Sequence, residues 1–86
     1  MYELVLTRKA QKFYEQADES LAERLNRCFE QLQANPYNHP NIKRLRGSLS
    51  GCGRYRVGDW RVVYRVDEAQ HSVTVLLIAH RREVYQ

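Results

Sequence analysis

The stretch Arg54-Tyr55-Arg56-Val57-Gly58-Asp59-Trp60-Arg61-Val62-Val63-Tyr64-Arg65-Val66 decides how this chain folds. Two alternating runs flank Gly58-Asp59, and a two-residue Gly-X connection signals a type II′ β-hairpin. So short a loop fixes the register: Val57 faces Trp60, Arg56 faces Arg61, Tyr55 faces Val62 and Arg54 faces Val63. Side chains alternate across a sheet. One face therefore collects Tyr55, Val57, Trp60, Val62, Tyr64 and Val66, which is a core. The other collects Arg54, Arg56, Arg61, Val63 and Arg65.

Working outward, Ser72-Val73-Thr74-Val75-Leu76-Leu77-Ile78-Ala79 follows a polar turn at 67–71 and is apolar at nearly every position. That pattern predicts a central strand covered on both faces. Upstream, residues 36–53 are rich in Pro, Asn, Ser and Gly and read as a loop region carrying the basic cluster Lys43-Arg44-Leu45-Arg46-Gly47. Before it, Leu21, Leu25, Cys28, Phe29 and Leu32 fall at helical spacing. Ser20 and Glu23 form a capping-box signature at the start of that helix, and Asn35-Pro36 stops it. Ala10, Phe13, Tyr14 and Ala17 mark an earlier helix capped by Thr7. Tyr2–Leu6 alternates as a first strand rather than a secretory leader. The predicted fold is α+β in the order β-α-α-β-β-β. A helix hairpin packs on one face of a small, mostly antiparallel sheet, as one domain over residues 1–86.

With 86 residues, 43% of them apolar and 28% charged, the chain can build one core and resembles neither a disordered nor a membrane protein. No apolar run is long enough to span a bilayer. Cys28 sits on a helical apolar stripe and reads as a small buried hydrophobe. Neither it nor Cys52 has metal-ligand spacing, and the expected location is the cytoplasm. The net charge of +4 is uneven: residues 1–41 carry 5 basic and 6 acidic groups, residues 42–86 carry 9 and 4. Of the 14 basic residues 11 are arginine, whose planar fork fits phosphate where lysine offers only a point charge.

Like charges directly opposite one another destabilise a sheet, so Arg56 against Arg61 asks for a compensating gain. Splaying into solvent or pairing with Asp59 or Asp67 would relieve the repulsion. An anion held between the guanidiniums does so with a function, and four arginines share a face that has no acid. His80-Arg81-Arg82-Glu83-Val84-Tyr85 emerges from the last strand beside this sheet, adding an imidazole and a phenol. The sequence contains no Ser-His-Asp arrangement, no HxH or HExxH spacing and no carboxylate cluster of the kind two-metal nucleases use. A nuclease built from these residues works without metal or other cofactor. RNA permits that, since its own 2′-hydroxyl can attack the adjacent phosphorus once aligned and electrostatically assisted.

The strings around RYRVGDWRVVY and the closing HRREVY, with the cluster at 43–47, closely resemble the RelE family of toxins from toxin–antitoxin pairs, over almost the whole chain. The resemblance implies a ribosome-dependent endoribonuclease that cuts the mRNA codon in the decoding site, leaving a cyclic phosphate and a 5′-hydroxyl. Carried over, Arg61 stabilises the transition-state phosphate, Arg81 acts as general acid or charge stabiliser, and Tyr85 orients or activates the 2′-hydroxyl. Arg54 and Arg56 stand where familiar members carry lysines, and arginine is a poor base. Their role is then electrostatic, with Tyr85 or His80 as the base. Lys43, Arg44 and Arg46 are expected to contact ribosomal RNA, with Arg65 and Arg82 as further RNA-binding cations. The family also implies a RelB-like antitoxin that covers the arginine face and alone carries the complex to operator DNA, with no role for a membrane. Three rivals are a ParE-like gyrase poison of the same fold, a non-catalytic RNA-binding module, and a relic without activity.

Overall fold

A computed structural model describes residues 1–45 and 51–84. Arg46 and Tyr85, both singled out above, lie outside the described residues. The elements run β1 (Glu3–Leu6), α1 (Arg8–Gln16), α2 (Glu19–Ala34), β2 (Ile42–Arg44), β3 (Cys52–Val57), β4 (Trp60–Asp67), β5 (Ser72–His80) and α3 (Arg81–Val84). The sheet has the order β1-β5-β4-β3-β2, with β1 parallel to β5 and every other pair antiparallel. It keeps the expected class and adds β2 and the short α3.

The hairpin register is the one a two-residue loop requires: Val57 pairs with Trp60, Arg56 with Arg61, Tyr55 with Val62 and Arg54 with Val63. Gly58 takes φ +60°, the left-handed value that the first loop position of a II′ turn needs and that glycine adopts without penalty. The core then forms between the two helices and one sheet face. Leu25, Cys28, Phe29 and Leu32 of α2 and Ala10 of α1 meet Tyr55, Val57, Val62, Tyr64, Val73, Val75 and Ile78. Fully burying a side chain of this size contributes about 1.5–3 kcal/mol relative to exposure. Cys28 is among the most deeply buried, and burial pushes its thiol pKa well up, as the core reading expects. Cys28 and Cys52 are both free. Among the described residues no helix is long and apolar enough to cross a membrane.

Three expectations need correction, and β5 holds an irregularity that the sequence did not signal. Helix α2 is capped by Asp18, whose Oδ1 accepts from the Leu21 N–H at 2.8 Å; Ser20 is already helical, so the Ser20–Glu23 pair is no cap. Residues 36–53 are not all loop, because Ile42–Arg44 pairs with Gly53–Tyr55 as an edge strand, and β3 begins at Cys52. Strand β5 does lie inside the sheet, between β1 and β4, but it is not covered on both faces: Thr74, Leu76 and Leu77 on its open side are only half-buried. Finally, β5 carries a bulge: Val63 pairs with Leu77 and Tyr64 with Val75, leaving Leu76 over. Thr7 holds this bulge. Its Oγ1 donates to the Leu76 carbonyl at 3.0 Å while accepting from the Ala10 N–H at 3.2 Å to cap α1. A bulge shifts strand parity by one residue. Beyond Leu76, the residues on the helix side are therefore Ile78 and His80.

A polar clasp closes the far end of the sheet. Glu68, in the β4–β5 turn, accepts from the Tyr37 and Tyr2 hydroxyls, and the Tyr2 ring stacks on His71 at 4.0 Å. The bonds from Tyr37 and then Tyr2 hold the Glu68 carboxyl below its ordinary pKa. A folded pKa lower than the unfolded one means stability that is present above the unfolded value and lost as pH falls through the folded one. Glu68→Gln is therefore expected to lose less stability than wild type between about pH 7 and about pH 3. Urea midpoints at both pH values check this, and an unchanged acid sensitivity would show that the clasp contributes nothing.

Candidate functional site

The open side of the β2–β3–β4 sheet carries a cleft of about 190 Å³ whose walls include Lys43, Arg54, Arg56 and Arg61, closed at one end by Pro40, Asn41 and Ile42. Pairing explains the convergence. Lys43, Arg54 and Val63 form one cross-strand row, and Arg56, Arg61 and Ala79 form the next. Among the described residues no carboxylate lines the cleft.

Arg61 is the best-held of these cations. It is 8% exposed, and its Nη1 donates to the carbonyls of Gly58 at 2.8 Å and Trp60 at 2.9 Å. Among the described residues no buried side-chain nitrogen or oxygen lacks a partner, so its remaining nitrogens reach the cleft. Clamping Nη1 onto the turn also answers the repulsion anticipated for the Arg56–Arg61 pair: one guanidinium folds back on its own hairpin, and Arg56 stays exposed. A guanidinium fixed before substrate arrives needs no reorganisation when charge develops on a phosphate. Asn41, which sequence reasoning passed over, supports the neighbour: its carbonyl accepts from the Arg56 N–H at 2.9 Å, past the end of β2. Nothing in a lone Asn after a proline signals that role.

The other candidates divide. Arg65 shares the open face, opposite Cys52 and Thr74, but sits about 13 Å along the strand from Arg61, at about 3.3 Å per residue, and does not line the cleft. Arg81 stands at the hairpin tip: its N–H donates to the Asp59 carbonyl at 2.8 Å and its Nε lies 3.9 Å from Asp59 Oδ1, with both side chains exposed. Asp59 thus pairs with Arg81 instead of with the cleft arginines. Arg44 points to the helix side, its guanidinium 4.9 Å from the centre of the Tyr37 ring, so the run 43–44 splits between faces. His80 is also on the helix side. It pairs with Trp60, their rings lie 5.4 Å apart, and the Trp60 ring meets Phe13 of α1 at 5.0 Å. Its Nδ1 accepts from the Arg82 N–H at 3.3 Å, which ties down the start of α3. Arg82 itself is exposed. Chemically, the cleft can bind a phosphate tightly and stabilise added negative charge on it. Of its four cations only Lys43 can give up a proton, because arginine does not deprotonate at ordinary pH.

Residues 4–85 match the sequence model of the ParE toxin of the type II toxin–antitoxin system, parDE. Toxin RelE of Mycobacterium tuberculosis is 32% identical over 87 aligned residues, covering 99% of this chain and 87% of that one. In three dimensions, the isolated Escherichia coli RelE toxin superposes with a TM-score of 0.81 at 25% identity, over 99% of this chain and 92% of that one. A chain of the toxin–antitoxin complex RelBE2 from Mycobacterium tuberculosis gives 0.78 at 25% identity, over 93% and 98%.

Proposed function

Because this chain belongs to the RelE/ParE family of type II toxin–antitoxin toxins, we propose that it is a cytoplasmic, ribosome-dependent endoribonuclease that cuts mRNA in the decoding site. The observation that carries the reading is the acid-free cleft of Lys43, Arg54 and Arg56 around an Arg61 clamped to its own turn. RNA supplies the nucleophile. Its 2′-oxygen forms a bond to phosphorus as the bond to the 5′-oxygen breaks, giving a 2′,3′-cyclic phosphate and a 5′-hydroxyl. Arg61 binds the non-bridging oxygens as they gain charge, while Lys43, Arg54 and Arg56 hold the strand. Arg81, at the hairpin tip, stabilises the departing oxygen. With His80 turned to the helix side, Tyr85 is the residue proposed to orient the 2′-hydroxyl. With no strong base assigned, the 2′-hydroxyl proton passes to water and the departing 5′-oxygen takes one back. The enzyme therefore depends on the ribosome to shape its substrate, and naked RNA is cut slowly. Relatives crystallised with RelB-type antitoxins support a small antitoxin as partner.

The test is mRNA cleavage on programmed ribosomes by wild type, Arg81→Ala and Tyr85→Phe, with analysis of the new 3′ ends. Cuts within the decoded codon, ending in a cyclic phosphate and slowed about a hundredfold by each change, are the expected result. The ParE sequence match favours one alternative, a gyrase poison on the same fold. Failure of the folded wild type to cut, together with inhibition of gyrase supercoiling, would replace the first reading by the second.

A further inference from the structure

On the other side of Arg56 lies a second basic cleft, of about 310 Å³, walled by Arg24 and Arg27 of α2 together with Arg56, Asn41 and Gly58. Arg24 and Arg27 are three residues apart on α2, so they share a helix face, and both are exposed. Among the described residues neither enters an ion pair, and no carboxylate lines the cleft. The β3–β4 turn ties the two clefts together. The Gly58 carbonyl accepts from Arg61 on one side, and on the other Arg24 lies so close that a Cβ at position 58 would stand 2.5 Å from its Nη2. Arg56 and Asn41 line both clefts. The β2–β3 pairing ends at Ile42 opposite Tyr55, so Arg56 lies just past it near the sheet edge, with its N–H held by the Asn41 carbonyl.

We propose that Arg24, Arg27 and Arg56 form a second phosphate site that holds the RNA strand next to the nucleotide being cut. This rests on the RNA reading above and extends it to a defined path: from Arg61 over the β3 edge at Arg56 to the face of α2. Three guanidiniums without an acid form an unfavourable array until an anion occupies it, and their forks suit phosphate oxygens. An acidic polypeptide would also neutralise them. RNA is favoured because Arg56 is shared with the cleft in which the scissile phosphate sits, so one continuous polyanion serves both.

The experiment measures binding of a short fluorescent 2′-O-methyl oligoribonucleotide, which cannot be cleaved, by anisotropy across a salt series. Wild type is compared with the double variant Arg24→Gln/Arg27→Gln and with Arg54→Gln, and thermal melting confirms that all three are folded. Each phosphate contact on a single strand contributes about 0.7 to the slope of log affinity against log salt. The double variant is expected to bind more weakly, with a slope shallower by about 1.4. An unchanged slope in the double variant, with Arg54→Gln weakened, overturns the second site and leaves the cleavage reading standing. Unchanged RNA binding with lost binding of polyglutamate overturns it in favour of an acidic polypeptide. No RNA binding by wild type at any salt overturns both.

Discussion

An Arg61→Gln protein is expected to cut RNA about a hundred- to a thousandfold more slowly than wild type, the loss typical of removing one preorganised donor from a developing oxyanion. The effect should fall on kcat, with KM nearly unchanged. In the proposed site Lys43, Arg54 and Arg56 would already neutralise the ground-state phosphate, whereas the extra charge of the five-coordinate phosphorus appears only in the transition state. Arg61→Lys should rescue little. An ammonium cannot keep the bonds to the Gly58 and Trp60 carbonyls while offering a second edge to phosphate. Both variants should fold, at a cost of about 1–2 kcal/mol for the carbonyls left without their donor. Single-turnover cleavage on ribosomes at several toxin concentrations separates the two constants. A raised KM with unchanged kcat would reduce Arg61 to a tether.

Tyr64→Ala should have the largest effect on stability, about 3–5 kcal/mol. Tyr64 is 1% exposed, and its hydroxyl donates to the Pro36 carbonyl at 2.6 Å, pinning the end of α2's following loop to the middle of the sheet. Its ring crosses Gly53 so closely that a Cβ there would lie 2.5 Å from the phenol carbon and oxygen. Glycine at 53 is thus required by the tyrosine. Total stabilities of small domains run about 5–15 kcal/mol, so this one truncation removes a large part. Tyr64→Phe keeps the ring and strands only the Pro36 carbonyl, and should cost about 1–3 kcal/mol. Urea unfolding of both variants checks the division. A Tyr64→Ala loss below that of Tyr64→Phe would contradict the packing account.

The sequence revealed most where the chemistry is local. Gly58-Asp59 left the hairpin one register, and from it the arginine face followed by parity alone. Thr7 was readable as a cap for the same reason. The start of α2 was not, because Asp18 and Ser20 are both good caps and only the folded backbone shows which one meets an N–H. Strand β2 escaped notice because three residues, two of them exposed and basic, carry no hydrophobic alternation; its pairing is a tertiary fact. The side taken by His80 was hidden for a sharper reason. Counting by twos from Val73 and Val75 sends position 80 to the open face, and the bulge at Leu76 reverses the count. Strand parity sets Lys43 and Arg44 back to back, which their adjacency in the basic cluster did not reveal.

The parallel pairing of β1 with β5 bears on how each molecule comes into being. Thr7 bonds to Leu76, 69 residues away, across a seam that no hairpin can close. The β3–β4–β5 meander needs only short connections and can zip early, but closing the long seam bears the loop entropy of nearly the whole chain. On a translating ribosome the first strand and the start of α1 therefore wait, without a sheet edge to dock on, until β5 has emerged. The arginine-bearing face is thus a late product: β1 and both long helices leave the ribosome before any residue of the β3–β4–β5 meander that carries it.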